Sequence, residues 1–368
     1  MKIALVVPGG VDRSGEYRVI PALLGLIRRL SRAHEVHVFA LRQEQAAGCW
    51  KLAGAAIHNI GEGRTHLRGI AMIRAEHRRA PFDLVHAIFS GSCGVIAVAA
   101  AKSLRLPSLV HVAGGELVAL RDIGFGGRQT WRGRLREAWV LRSADAVTAA
   151  SASIGDSLRT LGIRAWRVPL GVDLRAWPAR APGERRGEPA RLLHVASLNR
   201  VKDQSTLLKA LAALVERGVD FRMDIVGVDT LQDETARLAN KLGLEQRVRF
   251  LGFKTQRELR PIMEAADLLV MSSRHEAGPL VLLEAAVAGV PTVGTAVGHI
   301  AEWAPVAALA VPVADPAALA DAIGMVLGDE ALRLRLARAA QCRALSEDAD
   351  YTARRFEALY LHLTTTCG

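Results

Sequence analysis

The sequence predicts an α/β chain of two Rossmann-like domains that face each other across a cleft, on three observations. Its 368 residues exceed what one ordinary core supports, so two domains are the natural expectation. Short β-branched runs alternate with longer helical stretches, the pattern of a parallel sheet covered by helices. That rhythm breaks once, at 175–192, and then starts afresh.

In the first half, "IALVV" (3–7) is an apolar run closed by Pro8-Gly9-Gly10 and followed by "YRVIPALLGLIRRLSR", which has helical periodicity. "HEVHVFAL" (34–41) and "AAIHNIG" (55–61) read as strands and lead into a basic helical segment. "FDLVHAIF" (82–89) and "GVIAVAAAKSLR" (94–105) give another strand and helix. "PSLVHVAG" (107–114), "ADAVTAAS" (144–151) and "AWRVPLGVD" (165–173) continue the strand series. The break, "RAWPARAPGERRGEPARL", holds three prolines, two glycines and seven charges, the composition of a linker or surface excursion.

The second half restarts with "LLHVASL" (192–198) and a helix over 204–216. "FRMDIVG" (221–227), "VRFLGF" (248–253) and "ADLLVMSS" (266–273) are strands separated by helices near 231–242 and 256–265. A helix of about ten residues follows Pro279, which suits a first helical position, and Gly289-Val-Pro291 stops it. "PTVGTA" and "AALAVPV" complete the strands, and 315–363 is mostly helical. The boundaries expected are 1–172, 173–345, and a closing helix within 346–368 that packs back on the first domain.

Composition excludes several classes. Half the residues are apolar, which fits a globular chain. Cys49, Cys93, Cys342 and Cys367 have no paired short spacing, which argues against a disulfide framework or zinc knuckle and suits a cytoplasmic location. No HExxH or close cysteine–histidine motif is present, so no metal site is expected, and no GxxxxGK[ST] loop occurs. "MKIALVVPGG" reads as a first strand rather than a signal peptide.

The net charge of +11 is uneven: residues 1–172 hold 24 Lys/Arg against 12 Asp/Glu. A basic half suits an anionic partner, with peripheral contact at the inner face of a membrane as one form. An arginine-rich, solubilising surface is the plainer alternative. Aromatic content of 5% and the lack of a helix-turn-helix or finger argue against nucleic acid. "GGRQTWRGRLREAWVLR" (126–142) suits either a headgroup surface or an ordinary surface helix with Trp131 and Trp139 packed inward, and the inward arrangement is the expected one.

The most informative stretch is "SSRHEAGPLVLLEAAVAGVPTVGTAVGHIAE". Glu276 lies just before the helix and Glu284 inside it, among Leu280, Val281, Leu282, Leu283, Ala285 and Ala286. A buried carboxylate needs a partner or a ligand. The helix start at Gly278, Pro279 and Leu280 favours an anion, above all phosphate, and carboxylates accept from sugar hydroxyls. Spacing alone leaves open a half-exposed Glu284 and a Glu276 that merely caps the helix.

This stretch closely resembles the signature of the retaining glycosyltransferases of family 4, which have the GT-B fold and carry two glutamates with seven residues between them. The resemblance extends through about 190–345, and Gly298 in "VGHIAE" fits it. It implies that Glu276 contacts the donor sugar, that Glu284 holds the nucleotide ribose, and that Gly278, Pro279 and Leu280 lie near the diphosphate. "LHVASLNRVKDQ" (193–204) resembles the family's GRLxxxKG segment, with Lys202 as the phosphate-neutralising lysine. Ser197 stands where most members have arginine, with Arg200 three residues on as the substitute cation.

"VPGGVDRSGEYR" resembles the glycine-containing loop after the family's first strand, where Gly15 allows close backbone approach and Arg13 and Arg18 supply charge. "LVHVAGGE" resembles the family's strand ending in a histidine near the sugar. His111 is the resulting candidate, against a reading as a core histidine, with Glu116 pointing into the cleft if the strand runs longer. The resemblance implies a metal-independent enzyme without a cofactor. It would transfer a sugar, with retention, from a UDP- or GDP-linked donor to a glycan, lipid-linked or small-molecule acceptor. A non-catalytic GT-B scaffold subunit and a nucleotide-sugar epimerase are the alternatives.

Overall fold

The computed structural model describes residues 1–185 and 187–366. Arg186, in the proline-rich segment, and Cys367 lie outside the described residues. The chain divides into two compact units, Met1–Asp173 with Glu347–Gly368 and Leu174–Ser346.

Unit 1 runs β1 (Lys2–Val7), α1 (Pro21–Leu30), β2 (Glu35–Ala40), β3 (Gly48–Leu52), β4 (Ala55–Asn59), α2 (Thr65–Arg79), β5 (Leu84–Ile88), α3 (Ser92–Leu104), β6 (Ser108–Val112), α4 (Trp131–Ser143), β7 (Ala146–Ala149), α5 (Ala152–Thr160) and β8 (Trp166–Arg167). The strand order is β3-β4-β2-β1-β5-β6-β7-β8, parallel except for the β3–β4 hairpin. The sequence reading missed β3, whose alternating half-exposed pattern carries no apolar run. It also overextended β8, which pairs over two residues only.

Unit 2 contains β9 (Ala190–Val195), α6 (Gln204–Glu216), β10 (Phe221–Val226), α7 (Glu234–Lys241), β11 (Val248–Gly252), α8 (Gln256–Glu264), β12 (Leu268–Met271), α9 (Leu280–Val287), β13 (Thr292–Thr295), α10 (Gly298–Trp303), β14 (Leu309–Val311), α11 (Pro316–Gly328) and α12 (Glu330–Ser346). Its sheet is parallel throughout, ordered β11-β10-β9-β12-β13-β14. Counted along the unit this is 3-2-1-4-5-6, the doubly wound order. The strand order reverses between β9 and β12, so the loops after those two strands flank the topological switch point where ligands bind in such sheets. In unit 1 the corresponding point lies between β1 and β5.

The chain returns to unit 1 as α13 (Ala349–Thr366). Ala353, Phe356, Tyr360 and Leu363 form its buried stripe and join the core of unit 1, where α13 packs against α1. Fully burying Phe356 contributes about 1.5–3 kcal/mol, and Tyr360 is fully buried beside it with its hydroxyl bonded to His86 Nδ1 at 2.7 Å. Arg29, itself buried, ties the junction by pairing with Asp173 at 3.0 Å and Asp350 at 2.5 Å. The proline-rich segment is no free linker. Trp177 is buried in unit 2, and the Arg180 backbone N–H donates to Val287 O on α9.

Candidate active site

The switch point of unit 2 gathers the polar side chains that the apolar sheet beneath cannot accommodate. After β9 the chain turns through Asn199, whose Oδ1 accepts from the backbone N–H groups of Val201 and Lys202. Asp203 adopts a left-handed conformation and caps α6 through Thr206 N. The loop after β12 is stitched to this turn: Arg274 N donates to Val201 O, and Ser272 Oγ donates to Lys202 O at 2.8 Å. These bonds fix the two loops side by side.

Lys202 and Glu276 meet here. Lys202 Nζ lies 2.5 Å from Glu276 Oε1, which also accepts from Ser273 Oγ at 2.6 Å. Glu276 is buried and the lysine side chain partly exposed, so the ammonium can be shared with an incoming anion. Ser273 is held in turn by Thr295 Oγ1, which donates to its carbonyl. Sequence reasoning missed Ser273, since a serine beside many others carries no spacing signal.

Two glycines allow the backbone to crowd this point. A Cβ on Gly278 would sit 2.9 Å from His299 Nε2. Gly298 has φ +52°, and a Cβ there would meet the Glu276 Cβ at 3.0 Å. Gly298 opens α10, whose buried His299 pairs with Glu302 at 3.3 Å. Pro279 occupies the N-cap of α9 rather than its first turn, and the helix has eight residues instead of the ten expected. Leu280 opens it directly after the Glu276 loop, and no side chain caps its N-terminus.

Glu284 is buried on α9, as its apolar neighbours require. Burial pushes its carboxyl up to about 7, opposed by a hydrogen bond from the Gln256 side chain. Gln256 opens α8, and its Oε1 accepts from Trp177 Nε1. Glu284 thus has a partner, supplied by two residues that lie far from it in sequence and were not singled out from it. Beneath the loops, His194 is held neutral, its pKa lowered to about 4 by burial, and Gln204 bridges it to Ser197 O. Ser197 itself is exposed. Arg200 is turned outward to Glu234, 2.7 Å away, rather than toward Lys202.

In unit 1 a cavity of about 710 Å³ lies at the β1/β5 switch, lined among others by Pro8, Arg42, Arg64, His66, Phe89 and Glu116. Glu116 accepts from the backbone N–H groups of Gly114 (2.6 Å) and Ser90 (3.1 Å), while burial raises its pKa. Ser90 Oγ donates to Glu137 of α4, whose carboxyl burial pushes up to about 7.

His111 does not line this cavity. It is fully buried, its Nδ1 bonds Thr148 Oγ1 at 2.9 Å, and its ring stands edge-on to Phe356. Burial lowers its pKa to about 3, and its full burial under Phe356 favours the core reading over the sugar contact. Gly15, φ +69°, closes a turn onto Asp12 O. Arg13 and Arg18 there are already paired, with Glu44 and Asp12. His37, His58 and Glu76 also converge, with ligand-type atoms within 4.8 Å of one another. Lys2 already supplies a cation to Glu76 at 3.2 Å.

Comparison with known proteins gives this geometry its context. Residues 176–343 match the model of glycosyl transferases group 1, and residues 22–176 that of glycosyltransferase family 4. The chain is 31% identical over 341 residues to the glycogen synthase of Mycobacterium tuberculosis, covering 88% of this chain and 77% of that one. It belongs to the family 4 glycosyltransferases. As such it is an enzyme that transfers a sugar from a nucleotide-sugar donor to an acceptor. The D-inositol 3-phosphate glycosyltransferase of Corynebacterium urealyticum is 36% identical over 182 residues, 46% of this chain and 42% of that one. Among solved structures, the sucrose-phosphate synthase of Thermosynechococcus elongatus superimposes with a TM-score of 0.84 at 19% identity, covering 100% of each chain. Anabaena HepE in complex with UDP and glucose gives 0.73 at 20% identity, over 99% of this glycosyltransferase and 100% of that chain. The fold of the glycosyltransferase is therefore GT-B, with two Rossmann-like units.

Proposed function

We propose that this glycosyltransferase is a retaining, metal-independent enzyme whose unit 2 holds a UDP- or GDP-linked sugar and whose unit 1 holds the acceptor. The observation that carries the donor assignment is the Lys202–Glu276–Ser273 cluster at the unit 2 switch point, beside the start of α9. A diphosphate placed there takes the Lys202 ammonium and the first amides of α9, which stabilise the charge released as the anomeric bond breaks. Glu276, freed from part of its ion pair, orients the sugar hydroxyls. Glu284 accepts from the ribose, and the donor phosphate takes the acceptor's proton. UDP is the first nucleotide to try, because HepE was crystallised with it.

The acceptor is a glycan, a lipid-linked saccharide or a small molecule bound in the unit 1 cavity. Among the described residues no helix is long and apolar enough to cross a membrane. We place the enzyme in the cytoplasm and, for a lipid-linked acceptor, peripherally at the inner membrane face. The basic surplus of residues 1–172 supports that placement.

The test is a thermal-shift panel of UDP, GDP, ADP and their sugars, followed by donor hydrolysis and the anomeric configuration of the product. One nucleotide should stabilise the protein strongly and its sugar should turn over with retention. No stabilisation by any of them refutes the donor site, and nucleotide binding without turnover supports a scaffold subunit instead.

A further inference from the structure

The helix expected to turn its tryptophans inward does the opposite. Trp131, Leu135 and Trp139 on α4 are 60%, 61% and 43% exposed. Their spacing of four residues puts them on one face, ~6 Å apart along the axis. The face that packs onto unit 1 is instead Gly133, Glu137, Val140 and Leu141. Helix α4 therefore buries one side and leaves three large apolar side chains exposed on the opposite one. Isolated exposed apolar residues are ordinary, but an aligned stripe of three large ones marks an interaction surface.

The charges around the stripe say what covers it. Arg132, Arg134, Arg136 and Arg142 are exposed, with Arg132 and Arg136 on one side of the stripe, Arg134 on the other and Arg142 at its C-terminal end, and none has an ion pair among the described residues. Arg132 rests over the Trp131 ring, 5.4 Å from its centroid. The helix's one acidic residue, Glu137, is buried on the inner face. Tryptophans at the surface with arginines beside them are the composition of a helix lying in the headgroup layer of an anionic bilayer.

The patch also adjoins the unit 1 cavity. His66 lines that cavity, and Arg136 is near enough to help hold its pKa down, after burial. Leu67, next to it on α2, is 68% exposed. On the inner side, Glu137 bonds Ser90, whose N–H donates to the cavity residue Glu116. We propose that α4 is an interfacial docking helix that seats unit 1 on an anionic lipid surface, with the acceptor cavity opening beside the headgroups. This deepens the peripheral placement proposed above and rests on it.

The experiment is co-sedimentation of the full chain with vesicles of phosphatidylcholine, with and without phosphatidylglycerol. The protein should bind the anionic vesicles and be released by salt. Replacing Trp131, Leu135 and Trp139 with serine, or the four arginines with glutamine, should weaken binding at least tenfold. Quenching of tryptophan fluorescence by brominated lipid should be lost in Trp131→Phe/Trp139→Phe. None of these residues lies in the donor site, so circular dichroism and the nucleotide-induced thermal shift should stay at wild-type levels. Absent vesicle binding, or binding unchanged in both variants, overturns the proposal. So does a concentration-dependent dimer abolished by the serine variant, since a second copy would then cover the stripe. A nucleotide shift that persists without vesicle binding leaves the glycosyltransferase reading standing and removes only the docking helix.

Discussion

Replacing Glu284 with glutamine should make the ligand-free enzyme more stable at alkaline pH while weakening its grip on the nucleotide. The carboxyl titrates near about 7 in the folded protein against 4.5 for an ordinary glutamate, because burial disfavours its charge. Below 4.5 both folded and unfolded chains hold the proton, and the group contributes no pH dependence. Between 4.5 and 7 the unfolded chain releases its proton while the folded one keeps it, so stability falls as pH rises. At pH 8 the accumulated cost is about 3 kcal/mol, and at pH 5 it is under about 1 kcal/mol. Glu284→Gln removes the charge and keeps an acceptor for Gln256. Unfolding melts at the two pH values should show the variant gaining over wild type at pH 8, by about 6–12 °C if unit 2 melts alone, and little at pH 5. Ribose hydroxyls donate best to the ionised carboxylate, so wild-type nucleotide affinity should rise as pH climbs through about 7. In the variant that rise should vanish, with a loss of about 1.5–3 kcal/mol at pH 8 by calorimetry. Equal stability at pH 8 and unchanged nucleotide affinity would refute both the buried charge and the ribose contact.

Lys202→Met removes the cation paired with Glu276 and should lower kcat about 10²–10³-fold in steady-state assays, with the secondary structure intact by circular dichroism. Gly298→Ala forces a left-handed backbone on a residue with a Cβ, about 1–2 kcal/mol, and drives that carbon toward Glu276. Turnover should fall further than nucleotide affinity, and the reverse order would place Gly298 outside the sugar subsite.

The fold was legible because parallel strands buried on both faces leave continuous apolar runs, as in β1, β5 and β12. Strand β3 escaped because its half-exposed edge position needs no such run. In the candidate site, Lys202 and Glu276 are legible through the family resemblance of their segments, since spacing alone leaves Glu276 a mere helix cap. Ser273, Gln256 and Trp177 are not, since each acts through a partner that only the packing of separate elements supplies. His111 is ambiguous in sequence for a related reason. A histidine near the end of a strand looks the same in sequence whether a ligand or, as here, a returning helix covers it. The tryptophans of α4 misled in the opposite sense, because small and polar Gly133 and Glu137 gave no hint that theirs was the inward face.

Ser197 is the departure from the family pattern that the structure makes sharpest. Arg200 was the substitute cation for the missing arginine, yet its guanidinium is exposed and engaged by Glu234 at 2.7 Å. An exposed ion pair of this kind is worth little, so Arg200 is free to leave it, but its resting position offers Lys202 no help. In the proposed donor site the phosphates would then meet one lysine side chain and the α9 amides, a weaker clamp than two cations. The loop itself leaves room for the second one. Ser197 is exposed and uses its carbonyl, not its side chain, to accept from Gln204. Ser197→Arg should therefore fold normally and tighten nucleoside diphosphate binding about tenfold or more, the worth of one charge-assisted hydrogen bond. Arg200→Ala should leave that affinity within about twofold of wild type, since it removes an exposed pair. If Arg200→Ala instead weakens binding tenfold and Ser197→Arg adds nothing, Arg200 swings from Glu234 to the phosphate. The serine would then be a compensated exchange rather than a weakened clamp.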